Sequence, residues 1–566
     1  MEGYKSNNPE KPDVGWWIRQ IRLGLAFRKE SAFEEKWPIW RKYYRNEFDP
    51  GVLPSNLFFK MIRTTVPRIY FRNPSISVIS TKPGMENFVF AKLTERTDNK
   101  LIKQMKIKQH FKRQVQDTWM FGTGVGKLGF GSQFHSSPES LGETAAPLFR
   151  KGQERVEYNF DILPNMPWYS RIPVGAYILP AGTANREDAR WEAFLIRRPV
   201  MDVKIDTRLK NTSDINPMHM DFSTNTISGR GTTPVDMVDM FEVRDKKTGM
   251  VFVISPQNVN KALAVEEDAY LKLGIEVGKT MVFNDDDERA WGLPDSQILE
   301  PQQREINEIR TITMYHRRLS TIKMLVRRGA MLKEEVDKLL NSDVLAVAWT
   351  EEDPDQAIKI IQAADIPDAL LRSEIAVMND VREQMGFSRN DFGNFQGGRE
   401  SPTATETAVV QQASEIRVDE RRDMVADLLV ELLEDVNSII FKNWSEEQVI
   451  DVAGPAGIPI WVKFRPSMLR RGKYEIKVDP DSSIPETKEL REQKALVVYE
   501  QFKTNPLIDP MKLTQYLLHN MHGVAFDDMM RGIPGGMGLS QGQPATPDQF
   551  GKIMQNVGAK APQLVQ

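Results

Sequence analysis

The chain contains no cysteine. That excludes disulfides, thiolate-held zinc, iron–sulfur clusters and thiol nucleophiles, and it fits a reducing compartment. No uninterrupted apolar run approaches the length of a membrane span, so no membrane partner is expected. The first thirteen residues are polar, carry Pro9 and Pro12, and lack the apolar core of a signal peptide. Charge of neither sign is in excess: 75 Lys and Arg stand against 78 Asp and Glu, a net −3. A strongly basic DNA binder has a different profile, so any DNA contact is expected to be weak, local or transient. Histidine is also scarce, with six in the chain. Only His519 and His522 are close enough to share a helix face, and no third metal ligand stands nearby. The sequence implies no cofactor and no metal.

What is present is enough apolar residue to fold, 40% of 566 residues. That length exceeds one hydrophobic core, so several domains are expected. Residues 14–48 read as helical and rich in aromatics, and Asp49, Pro50 and Gly51 end the pattern. Residues 56–70 form a second amphipathic stretch, followed by an extended piece over 74–79. One long helix is predicted over 86–120, because Ile107, Phe111, Val115 and Trp119 recur every four residues. Residues 121–131 read as a glycine-rich turn into a strand. Residues 132–158 and 206–233 read as polar loops. The pattern is β-like over 168–205, and 235–243 and 250–254 flank a hairpin turn at Lys246 to Gly249.

The second half is mostly helical. A helix is predicted from about 293 to 320, roughly 40 Å long. A small unit follows: a strand over 322–328, a helix over 333–340 and a strand over 344–349. A helix over 367–385, a loop over 387–402 and a long helix over 403–442 come next, the last roughly 58 Å if unbroken. Thr403 and Glu406 fit a capping box at its start. Within it Val425, Leu429, Leu432, Val436 and Ile439 step by four and three, which implies a seam against another helix. That seam and the helices on either side of the small unit are expected to bury poorly in a lone subunit. Strands are predicted over 458–464 and 474–478, and short helices over 484–531. From Gly532 onward Gly, Pro and Gln dominate, and the composition is that of a disordered tail.

Three motifs invite chemistry. Gly124, Gly126 and Gly129 satisfy GxGxxG, and the stretch also resembles a P-loop. A phosphate-binding turn leaves a strand and opens a helix; here a helix precedes and a strand follows. A Walker loop would need glycine where Phe121 stands and a hydroxyl where Leu128 stands. A tight helix-to-strand turn is the better reading. The acidic run at Asp285, Asp286, Asp287 and Glu288 lacks the spaced oxygens and glycine of a calcium loop, and reads as solvated. Lys100, Lys103, Lys106, Lys108, Lys112 and Arg113 cluster on one predicted helix. They read either as its wet face or as a surface toward DNA or a partner.

The order in the second half resembles the portal proteins of tailed bacteriophages: a helix, a small α/β insert, a second helix, a loop, then a very long helix. The local strings that carry the resemblance are residues 302–315, RSEIAVM (372–378) and ESPTATE (400–406). In the first half they are NLFFKMIR (56–63), TVPRIY (65–70), WMFGTG (119–124), IPVGAYILP (172–180) and DARW (188–191). No single string is specific; their order over most of 15–531 carries the likeness.

The resemblance implies an α+β portal fold with wing, stem, clip and crown regions. On it, 1–293 is the wing region, 294–320 and 361–386 the stem helices, 321–360 the clip and 387–403 the tunnel loop. Residues 404–482 hold the long wing helix and return strands, 483–531 the helical crown, and 532–566 the tail. It implies a homo-oligomeric ring, usually of about twelve copies, at one capsid vertex of the virion, assembled in the host cytoplasm. Such a ring serves genome packaging, terminase docking, head–tail joining and DNA ejection, and is not an enzyme. Implied partners are other copies of the chain, duplex DNA passing without sequence preference, the terminase, major capsid and scaffolding proteins, and head-completion or tail adaptors. Arg389, Asn390, Asn394, Gln396 and Arg399 would face the DNA channel. Lys323, Arg327 and Arg328 would serve docking at the clip. The alternatives are a terminase-like ATPase, which would need the Walker loop that is missing, and another virion adaptor, which would not explain the helix–insert–helix order.

Overall fold

Asp13 starts the first helix, α1 (Val14–Ser31), by accepting the Trp16 N–H at 2.7 Å. Trp17, Ile18, Ile21 and Leu25 recur at helical spacing and are buried. The computed structural model describes residues 13–70, 73–81, 83–131, 166–206, 209–213, 215–217, 219–221, 226–228 and 237–319. It further describes 323–326, 332–335, 337, 349, 358–361, 368–386, 404–443, 448–453, 459–464, 474–479, 488–503, 513–514 and 516–517. The chain divides into two compact units. One holds Met1–Trp37, Ile62–Asp295 and Glu415–Gln566; the other holds Pro38–Met61 and Ser296–Ser414. The architecture is α+β, and every strand pair among the described residues is antiparallel.

In the first unit, a five-stranded sheet runs in the order β10 (Ala264–Glu267), β9 (Met250–Ile254), β8 (Met237–Asp245), β5 (Trp191–Pro199), β4 (Tyr177–Ile178). Helix α1 covers it: Trp17 and Ile21 share a core with Trp191, Phe241 and Ile254. At the same helix Arg28 is buried. Its guanidinium bonds Glu34 and the carbonyls of Gly175 and Tyr177, so the charge is matched where water is absent. A three-stranded sheet follows the order β11 (Gly278–Val282), β2 (Thr123–Phe130), β3 (Pro167–Ile172). A two-stranded ladder joins β1 (Ser75–Ser80) to β16 (Tyr474–Asp479), bringing together segments 400 residues apart at Ser77 and Lys477. Strands β14 (Gln448–Ala453) and β15 (Pro459–Phe464) form another pair. Helix α6 (Val200–Ile205) follows β5, and α10 (Lys488–Phe502) follows β16.

Three differences from the sequence reading have physical causes. The helix expected over 86–120 is two helices, α4 (Met85–Gln104) and α5 (Ile107–Phe121). Leu101 and Met105 continue one buried stripe, but the next begins at Ile107, two residues on. Lys106, left-handed at φ 54°, takes up that slip and starts α5. The polar stretch over 206–233 contains a short hairpin, β6 (His219–Asp221) with β7 (Thr226–Ser228). The long helix, α9 (Ala404–Asn443), has its seam buried within the subunit: Leu429, Leu432, Val436 and Ile439 are fully buried. Side chains of α9 meet α4 (Asn437 with Asp98, Phe441 with Phe90), Tyr474 of β16 and Lys279 of β11. The seam therefore needs no second subunit to cover it. The capping residue Thr403 lies outside the described residues, as do the polar stretch 132–158 and the tail from Gly532.

Candidate functional site

Helix α7 (Asp295–Leu319) carries a polar row, Gln303, Asn307 and Thr311, at steps of four. The row holds an extended piece of backbone. Thr311 Oγ1 accepts the Leu53 N–H at 3.0 Å and Asn307 Oδ1 accepts the Ser55 N–H at 3.0 Å. Gln303 Oε1 accepts the Leu57 N–H at 2.7 Å, while its Nε2 donates to the Ser55 carbonyl at 2.7 Å. Asn56 adds a cap by accepting the Phe59 N–H at 2.9 Å. Helix α3 (Leu57–Ile69) thus begins on side chains borrowed from α7. The Trp40 indole of α2 (Trp37–Tyr44) donates to Glu300 on the same helix at 3.0 Å. These bonds tie Pro38–Met61 to Ser296–Ser414, although 234 residues of chain separate the two segments.

Beyond α7 the chain enters β12 (Lys323–Val326) and returns in β13 (Ile358–Ile361), paired in register from Lys323↔Ile361 to Val326↔Ile358. Helix α8 (Asp368–Met385) follows and ends at Gly386, whose φ of 70° suits a glycine stop. Arg310 of α7 donates from Nε and Nη2 to Glu374 Oε1 of α8, at 2.9 and 2.7 Å. Lys60 of α3 has its amine pushed down, first by burial and then by Arg382 of α8. This unit also leaves large apolar side chains in water: Ile312, Tyr315 and Ile375 on the two helices, with Leu332 and Trp349 between the strands.

The sequence reading put its functional residues here, and they fall as follows. Lys323 is the first residue of β12, opposite Ile361. Arg327, Arg328, Arg389, Asn390, Asn394, Gln396 and Arg399 lie outside the described residues. The expected strand over 344–349 also lies outside them, except Trp349, which is in no strand. Strand β12 pairs with β13. His519 and His522 are likewise outside. The polar row on α7 was missed; its sequence signal is three amide or hydroxyl residues four apart on an otherwise charged helix.

The glycine motif has a packing explanation. In β2 a Cβ on Gly124 would run into Gln114 and Thr118 of α5, one on Gly126 into the Tyr169 ring, and one on Gly129 into the Trp168 ring. Each glycine lets a helix or a ring lie flat on the strand. Lys127 points between the two sheets. It pairs with Glu242 at 2.7 Å and lies 4.6 Å from the Phe194 ring centre. Arg244 bonds the same carboxylate and Asp268. Burial alone would raise Glu242; these two cations hold it low. The lysine is engaged in the core, not held out toward a phosphate. The acidic run is a turn, with Asp286 Oδ1 accepting the Glu288 N–H at 3.1 Å.

Among the described residues no cluster of three His, Asp or Glu side chains could hold a metal, and no helix is long and apolar enough to cross a membrane. Neither the family models nor the curated proteins compared with the chain give a match.

Proposed function

We propose that the chain is a portal subunit of a tailed bacteriophage, one copy in a ring through which duplex DNA enters and leaves the capsid. The observation that carries this reading is the order of elements along the chain from Asp295 to Asn443. Helix α7 leads into the β12–β13 ladder, α8 leads out, and a 17-residue link (387–403) runs into the 40-residue α9. On this reading α7 and α8 are the stem, the segment between the strands is the clip, and 387–403 is the tunnel loop.

Composition supports the same role. A channel must let DNA slide, and each neutralised phosphate adds affinity, which a ring multiplies by its copy number. A near-neutral chain avoids a trap. The exposed Ile312, Tyr315 and Ile375 on the stem helices supply apolar area for a head-to-tail contact, which closes into a ring when its rotation allows. Terminase, capsid and scaffolding proteins, and neck or tail adaptors are the proposed partners. ATP hydrolysis belongs to the terminase, so the chain itself turns over no nucleotide.

Mass photometry and negative-stain imaging of purified protein test the ring. Closed rings of about twelve copies are expected; monomers alone at micromolar concentration, with and without magnesium, would overturn the reading. Removing 391–398 tests the channel loop. Rings and procapsids should form, with the defect in packaging or in retention of DNA. Normal infectious particles would remove the loop's proposed role.

A further inference from the structure

From Arg96 to Arg113 the sequence has seven basic residues and a single acid, Asp98. The structure turns that acid inward, fully buried beneath α9. The basic residues point the other way. Lys100, Lys103, Lys106 and Arg113 are exposed, and Arg96 and Lys112 are partly so. On α4, Arg96, Lys100 and Lys103 step by four and three, one outer row. On α5, Lys112 and Arg113 lie one turn past the exposed Gln109. Lys106 stands at the corner, in the left-handed conformation that turns one helix into the other. Among the described residues Arg96, Lys100, Lys103, Lys106, Lys112 and Arg113 have no ion pair. His110 of α5 is pushed down by its burial and then by Arg113 and Lys106, which places these two cations near it.

The chemistry of the row selects among polyanions. A protein partner would need apolar anchors in the contact. Among the described residues of α4 and α5 Phe88, two turns before Arg96, is the one large hydrophobic side chain exposed, and none is exposed among the cations from Arg96 to Arg113. A single-stranded nucleic acid would need aromatic faces for its bases, and the row has none exposed. What it offers is cations with exposed amides, Gln104 and Gln109, between them. Side chains three or four apart on a helix stand about 6 Å apart, within reach of neighbouring phosphates on one strand. That is a surface for the backbone of a duplex, which carries position and no sequence information.

We propose that the α4–α5 corner, through Arg96, Lys100, Lys103, Lys106, Lys112 and Arg113, binds the phosphate backbone of duplex DNA without sequence preference. The site shares no residue with the loop over 387–403 and does not depend on a ring.

Fluorescence anisotropy with the full chain and a labelled duplex of about 30 base pairs, at about 50 and 200 mM salt, reads the binding. The wild type should bind at the lower salt and weaken steeply at the higher. The variant K100E/K103E/R113E should lose at least about tenfold in affinity, and its salt slope should fall by about 0.9 for each phosphate no longer neutralised. K100Q/K103Q should move the same way by less, and circular dichroism should give both variants the wild-type melting curve. A matched control at exposed lysines elsewhere, K210E/K247E/K261E, should stay within about twofold. Deleting 391–398 should leave this binding in place, which separates it from any channel contact. Three results would overturn the proposal: no wild-type binding at the lower salt, an equal loss in the control, or preference for a single strand or for polyglutamate over the duplex.

Discussion

Asp98 is fully buried, and burial drives its carboxyl well above the usual carboxylate range; Asn437 pulls it back in part and Glu95 pushes it further up. The Asn437 amide donates to Asp98 Oδ2 at 3.3 Å, while Oδ1 of each residue is buried with no hydrogen-bond partner. The Tyr474 hydroxyl nearby is raised by burial and then by Asp98 itself. A proton on Asp98 removes a buried charge that one amide bond would otherwise have to offset, so the neutral acid suits the site. A carboxyl raised in the folded state contributes its stability in full below its unfolded value, about 4, and loses it as pH climbs through the raised one. Asp98→Asn should therefore melt with the wild type near pH 4. Above that it should become the more stable protein, with the higher melting temperature. Parallel melting curves across that range would show that Asp98 is ionised throughout. At β2, Gly126→Ala should cost about 1–3 kcal/mol by pushing against the Tyr169 ring. Thermal unfolding measures it; a change in nucleotide affinity without loss of stability would contradict the packing role.

At the scale of elements, the polar row of α7 is a handle that sets where α3 begins. Gln303→Leu leaves the Leu57 N–H and the Ser55 carbonyl without their partners, at about 1–3 kcal/mol for each buried group. Denaturant unfolding should register that loss, and hydrogen exchange should place it at 53–58. An unchanged midpoint would mean that water replaces the side chain. The main helices were legible because apolar spacing, Pro294 and Gly386 mark them: α7, α8 and α9 start and stop within two residues of the expected positions. The break at Lys106 was not, because a regular stripe on either side hides a two-residue slip between them. Strand β13 was missed because four residues, Ile358 to Ile361, are too short a run to separate from a helix turn. The pairing of β1 with β16 is invisible in any local window. Only the fold reveals that Glu34 and two carbonyls receive the Arg28 guanidinium. Of the residues proposed for DNA and docking, the sequence named the segments, and the helices bracketing them are where it put them.

For the whole molecule, the charge balance bears on how parts combine. On the portal reading, truncation after Pro534 should leave rings intact, since a tail of that composition cannot bury enough surface to offset its entropy. Loss of rings on truncation, seen by mass photometry, would make the tail structural. Reversing Lys323, Arg327 and Arg328 to Glu should spare assembly and impair packaging in a complementation assay; unchanged packaging would remove the role of these charges. The β12–β13 ladder carries a consequence of its own. Because Val326 and Ile358 face each other across it, the chain leaves and rejoins the helical unit about 5 Å apart. The chain from 327 to 357 thus enters and leaves by one socket, the end of the ladder. A two-residue turn could close the socket, and a different insert could fill it, without moving the register of either helix. On the portal reading, a lineage that changes its docking partner could rewrite that segment alone and keep the rest of the chain.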